Sequence, residues 1–157
     1  MSPVSSVFAV LALLGCAPTS GTEAGGPGRA LARSAERLPT IKVTLRADRT
    51  VATPGEIVEF TATATNRGTA RVQIGVQCGP SMDVAIAPPA GKERSALADQ
   101  LFACPLLAEH FVGPGQTQTL RLSWLVPATR GTYTAVAGLR RGDGLGNLST
   151  PVQLVVR

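Results

Sequence analysis

The sequence predicts an all-β chain, an immunoglobulin-like antiparallel sandwich of about seven strands. Three observations carry that expectation. Short segments alternate apolar and polar side chains with a period of two, the mark of strands with one buried face. Thr and Val are frequent, and 17 Gly and 12 Pro punctuate the chain between those segments. No long helical period competes with them.

In order, Ile41, Val43 and Leu45 alternate with Lys42, Thr44 and Arg46 in a first strand. Thr53-Pro54-Gly55 is a turn. Residues 56–65 form a second strand, with Val58, Phe60, Ala62 and Ala64 inward. Asn66-Arg67-Gly68 turns the chain, since Asn and Gly both tolerate positive φ. Residues 71–78 are a third strand, with Val72, Ile74, Val76 and Cys78 pointing one way. Residues 82–87 are a short fourth, carrying Met82, Val84 and Ile86. Irregular sequence fills 88–113, and residues 151–157 close the chain with Val152, Leu154 and Val156 inward.

Between these lies the stretch 111–139, which organises the rest. Leu120, Leu122, Trp124 and Val126 share one side of its first strand, and Thr119, Arg121 and Ser123 the other. In its second strand Tyr133, Ala135, Ala137 and Leu139 share a side. Residues 127–131 supply a corner, because Pro and Gly sit poorly inside a ladder. Tyr133, just past the corner, is either an ordinary core aromatic or a tyrosine corner that bonds back to the turn.

At 157 residues there is room for one domain and a tail. Apolar residues make up 44% and aromatics 4%, so aliphatic side chains must fill the core. The net charge of +5 is spread out: Arg29, Arg33 and Arg37 lie in the tail, and Arg140-Arg141 is the one adjacent pair. Nucleic-acid surfaces interleave clustered Lys and Arg with aromatics, so nucleic-acid binding is not expected. Loose attraction to an anionic membrane surface suits the basic tail better.

The N-terminal residues supply an address. Residues 7–14, VFAVLALL, are too short to span a bilayer but suit the apolar region of a signal peptide. Leu13-Leu14-Gly15-Cys16 resembles the lipobox of bacterial lipoproteins, which implies cleavage before Cys16 and its lipidation. A plain signal peptide cut elsewhere, or a buried strand, are the other readings. The division expected is 1–15 signal peptide, 16–39 lipidated Cys16 and flexible linker, and 40–157 sandwich domain. The linker is poor in bulky apolar residues and has a reach of roughly 25–30 Å by coil statistics. Ala17, where an inner-membrane lipoprotein typically has Asp, implies an outer-membrane anchor facing the periplasm.

With Cys16 lipidated, Cys78 and Cys104 remain, and an oxidising envelope favours a disulfide between them. Closing a loop of about 26 residues contributes roughly 3–4 kcal/mol in the chain-entropy model. A reactive or metal-binding pair lacks partners, because His110 is the one His and zinc asks for four Cys/His-type ligands. No Gly-x-Ser-x-Gly elbow accompanies His110, and the acids show no pairing for acid–base work. Asp83, inside a strand pattern, suits a turn or edge hydrogen bond. The chain is therefore expected not to be an enzyme and to need no metal, cofactor or small-molecule substrate.

Residues 88–103 form an unusually long connection carrying Lys92, Glu93 and Arg94. Two readings stand: a candidate binding loop, or a cover for one sheet edge.

Several of these residues form a pattern. Asn66, Met82-Asp83-Val84, Leu107, Gly113-Pro114-Gly115-Gln116, Trp124 and Gly131-Thr132-Tyr133-Thr134-Ala135 resemble, in order and spacing, the intracellular proteinase inhibitor (BsuPI-type) domain. The resemblance spans about residues 41–156. It implies an immunoglobulin-like sandwich whose partner is a protein, a protease in particular; in such an inhibitor the 88–103 loop, read on its own residues, would present Lys92 or Arg94 to a trypsin-like pocket. The alternative is a structural, assembly or adhesion module of the cell envelope without inhibitory activity.

Overall fold

The computed structural model of the chain describes residues 38–98, 106–141 and 144–157. The expected signal peptide, Cys16, nearly all of the linker and Cys104 lie outside the described residues.

Eleven strands occur among the described residues: β1 (Ile41–Ala47), β2 (Val51–Ala52), β3 (Ile57–Asn66), β4 (Val72–Gln77), β5 (Met82–Ala87), β6 (Arg94–Ser95), β7 (Ala108–Val112), β8 (Thr117–Leu125), β9 (Gly131–Arg141), β10 (Gly144–Gly146) and β11 (Val152–Val156). One sheet has the order β1-β3-β8, and the other runs β2-β11-β9-β5-β6, with β10 pairing β9. β4 and β7 pair as a separate two-stranded ribbon. The pairings are antiparallel except β2 with β11. β1 packs across from β9 and β11, and β3 across from β5, which stacks the two main sheets as a sandwich.

The alternation explains the core. Val58, Phe60, Ala62 and Ala64 of β3 are fully buried and face Met82, Val84 and Ile86 of β5 and Tyr133, Ala135, Ala137 and Leu139 of β9. Ile41, Val43 and Leu45 fill one flank, Leu154 and Val156 another. The Ala pairs in the middle of β3 and β9 let the sheets approach, and three rings thicken one end. Phe60 and Trp124 lie 6.3 Å apart between centroids, and Trp124 and Tyr133 lie 5.3 Å apart, all tilted. Burying Phe60 contributes about 2–3 kcal/mol.

Several expectations are corrected. The seven expected strands omit β2, β6, β7 and β10, which are short or flanked by breakers. The third, expected over 71–78 with one apolar face, is β4 (Val72–Gln77), and its register shifts between Gln73 and Gly75. A bulge inserts an extra residue and turns the rest of the strand to the opposite face, so Ile74 is buried while Val76 is half exposed. The turn after β3 needs no positive φ at Asn66 or Gly68. Asn66 turns the chain with its side chain: Gly68 N donates to Oδ1 at 2.9 Å, and Nδ2 donates to the carbonyls of Ala70 and Val112 at 2.7 and 2.9 Å. Asp83 pairs with Gly138 of β9 on one side only, and its carboxylate takes the edge hydrogen bond expected of it, accepting from Ser95 Oγ of the edge strand β6.

The start of the domain is clasped from far along the chain. Asn147, at φ 50°, accepts from Leu38 N (2.7 Å) and donates through Nδ2 to the carbonyls of Leu38 (2.6 Å) and Ile41 (2.7 Å). Asn is among the residues that tolerate this backbone region. Gly138 of β9 also has a steric reason: a Cβ there would meet Leu145 Cβ at 2.8 Å.

Candidate functional site

The corner between β8 and β9 does more than reverse the chain: it carries the backbone from one sheet to the other. Pro127 and the loop to Arg130 make that crossing, and Tyr133 fastens it, its hydroxyl donating to the Thr129 carbonyl at 2.8 Å. This is the tyrosine-corner arrangement.

Beside this corner the two sheets part. β6 ends one sheet and β8 ends the other, and between them opens a groove of about 600 Å³. Ile86, Pro88, Lys92, Arg94, Ser95, Ala96 and Tyr133 line it from one sheet, and Ser123, Trp124, Leu125, Pro127 and Thr129 from the other and its corner. Trp124 is only partly buried although its side faces the core, because no strand continues the sheet past β8 among the described residues. Leu125, 66% exposed, carries the apolar surface over the rim to Ile57, its partner across the ladder, 53% exposed.

The basic lip is held by a buried carboxylate. Ser95 Oγ donates to Asp83 Oδ2, Leu97 N donates to Ser95 Oγ at 3.0 Å, and Ala96 N donates to the Val84 carbonyl at 2.8 Å. Val84 N donates to Asp83 Oδ1 at 2.7 Å. Burial pushes the Asp83 carboxyl above the usual carboxylate range, against the Ser95 and Val84 hydrogen bonds and the Arg140 charge, which pull it down. These contacts fix β6 along β5, with Ala85 opposite Ser95 and Ile86 opposite Arg94.

Of the loop residues singled out from sequence, Lys92 and Arg94 both line the groove and are exposed. Arg94 sits in a paired strand and Lys92 just before it, so residues 94–95 cover the edge of β5 as well as shaping the groove. Glu93 points elsewhere: its Oε2 is buried without a hydrogen-bond partner, and desolvation raises its pKa. His110 stands in β7, its Nε2 buried without a partner. Among the described residues no group of three His, Cys, Asp or Glu is placed to hold a metal ion. No helix among them is long and apolar enough to cross a membrane.

The aromatic part of the groove escaped sequence reasoning, which puts Trp124 and Tyr133 on the core face; Tyr133 is buried there, while Trp124 is only partly buried. A signal was present: the single Trp lies one residue before exposed Leu125 and three before Pro127, where core gives way to corner.

No protein-family model matches the chain, the proteinase-inhibitor family included, and no curated protein sequence matches it. Solved structures do. The alkylpurine DNA glycosylase AlkC of Pseudomonas fluorescens, bound to DNA containing an abasic site analog, is similar over 75% of this chain and 30% of that one, at 15% identity and a TM-score of 0.50. The fold is an immunoglobulin-like β-sandwich. The CARDB domain of PF1109 from Pyrococcus furiosus aligns over 76% of this chain and 96% of that domain, at 17% identity and a TM-score of 0.48. Spo0M, a sporulation control protein from Bacillus subtilis, aligns over 76% of this chain and 50% of its own, at 13% identity and a TM-score of 0.49. At these identities the likeness concerns fold alone, and this chain spans under a third of the glycosylase.

Proposed function

We propose that this chain is a non-catalytic, lipid-anchored protein of the cell envelope whose sandwich domain binds a protein partner through the groove between β6 and β8. The observation that carries the reading is the groove itself: a partly buried Trp124 and exposed Leu125 opposite the exposed cations Lys92 and Arg94. Aromatic and aliphatic anchors beside a charged rim are the anatomy of protein-binding surfaces. The anchoring half rests on the lipobox-like 13–16 and the linker behind it. A Cys78–Cys104 disulfide belongs to the same proposal, supported by the oxidising conditions of the envelope that the anchor implies.

Protease inhibition is the narrower form of this reading. It is supported by the exposure of Lys92 after Gly91, which turns the chain at φ 112°. A trypsin-like protease slowed by the full chain and not by Lys92→Ala supports it; no protease slowed at micromolar protein removes it.

The broader reading is tested by capture from envelope extract with the full chain in detergent, beside Trp124→Ala and the double variant Lys92→Glu/Arg94→Glu. One protein held by the wild type and lost from both variants is the expected result. A protein held equally by all three overturns the groove as the binding site. Metabolic acyl labelling that leaves Cys16 bare overturns the anchor.

A further inference from the structure

The strand that ends the smaller sheet has half of its backbone hydrogen-bonding groups pointed at the groove side. In β3–β8 pairing, Ile57 stands opposite Leu125 and Thr65 opposite Thr117. Just past each end of the ladder, Val126 N donates to the Glu56 carbonyl and Asn66 N to the Gln116 carbonyl. Those bonds set the phase. In an antiparallel pair, residues that exchange hydrogen bonds alternate with residues that do not. Gln118, Leu120, Leu122 and Trp124 therefore bond to β3, and Thr119, Arg121, Ser123 and Leu125 turn their N–H and C=O groups outward. Among the described residues no strand takes them up.

Such an edge invites another strand, and proteins usually blunt it with Pro, a bulge, inward charges or brevity. β8 is nine residues long, has no Pro, and pairs with β3 without a register break. Its one charge is Arg121. Arg121, Lys92 and Arg94 all lack an ion-pair partner among the described residues, whose ion pairs join Arg49 to Asp48 and Glu56. An extended segment laid along β8 meets cations and the Trp124–Leu125 apolar surface together.

We infer that the groove takes an extended acidic peptide segment, which adds to β8 as a further strand, places alternate apolar side chains in the groove against Trp124, and offers the carboxylates between them to Arg121 on the other face of β8, while Lys92 and Arg94 attract the segment electrostatically from across the groove. This rests on the groove reading above and names its ligand class. Main-chain bonds supply affinity in this mode and alternate side chains supply selectivity.

The test uses the full chain in detergent and fluorescein-labelled peptides of about eight residues, alternating valine with glutamate or valine with lysine. Anisotropy should show the glutamate peptide binding at least about tenfold tighter than the lysine peptide, with the difference shrinking in salt. N-methylation of alternate peptide residues, in the phase facing β8, should abolish binding. Ser123→Pro removes an outward N–H and the Ser123 Oγ bond to Glu59 but no backbone bond to β3, so it should cost at least about tenfold in affinity. Thr119→Pro is the second such variant should the first not fold.

Equal binding of the two peptides, no saturation by about 1 mM, or indifference to both proline variants overturns the inference. A concentration-dependent dimer in sedimentation that Ser123→Pro dissolves assigns the edge to a second copy and overturns it equally. If a captured envelope protein is released by Trp124→Ala but not by Ser123→Pro, strand addition fails while the groove reading stands.

Discussion

The Tyr133 hydroxyl donates to the carbonyl of Thr129, four residues upstream, and so ties the first turn of β9 to the corner that delivers it from the opposite sheet. Thr129 is itself exposed, so its carbonyl regains water when the phenol is lost. Tyr133→Phe should therefore cost about 1 kcal/mol rather than the full penalty of a buried orphan. Urea unfolding of the two proteins checks this, with the midpoint shifting at constant slope.

Asn66 is fully buried and serves three backbone groups at once. Asn66→Ala should cost about 2–4 kcal/mol, because the Val112 carbonyl is left without its donor in a site that excludes water. Asn66→Asp keeps the shape but has no N–H to give and faces carbonyl oxygens instead. It should be at least as destabilising at neutral pH, and thermal unfolding of the pair separates lost shape from lost donors.

Asp83 gives the pH dependence a sign. Its folded pKa lies above the unfolded value of about 4, so between the two the native state binds more protons. Its contribution to stability is present in acid and is lost as pH rises through the folded value. Glu93, raised by desolvation, acts in the same direction. Glu56, held low by the Thr53 N–H at 2.6 Å, acts in the opposite one, stabilising above the unfolded range. Subtraction isolates Asp83: the stability of Asp83→Asn relative to wild type should climb as pH goes from about 3 to 7. Denaturant midpoints across that range measure it, and a flat difference contradicts the assignment.

Gly131 opens β9 at φ 134°, and a Cβ there would stand 2.5 Å from Pro89 Cγ. Gly131→Ala combines backbone strain with a collision against a rigid ring, and should cost about 2–4 kcal/mol. Gly55, at φ 85° with open space around it, is the control, and Gly55→Ala should cost about 1–2 kcal/mol. Pro89 follows Pro88 of the groove, so the Gly131 variant should also weaken peptide binding.

The sandwich was legible where alternation is strict. Val58, Phe60, Ala62 and Ala64 announce an inner face in one line of sequence, and so do Tyr133, Ala135, Ala137 and Leu139. Legibility stopped where two residues suffice for pairing, as at Val51–Ala52 and Arg94–Ser95, because a period of two needs several residues to show. It also failed at the bulge beyond Gln73, where an inserted residue reverses the faces without any change in composition. Lys92 and Arg94 were found from sequence as loop cations. That they face Trp124 depends on which sheet each edge strand joins, a matter of long-range pairing that local pattern does not encode.

The Asn147 clasp on Leu38 has a mechanical consequence. Leu38 enters beside the Ile41–Asn66 end of the first ladder, while the groove lies at the opposite end, where Leu125 pairs Ile57. Under the proposed anchoring and groove binding, a tug between partner and tether would run along β1, β3 and β8, at right angles to their hydrogen bonds. The ladders are then loaded in shear, many rungs sharing the force, instead of being peeled open one after another.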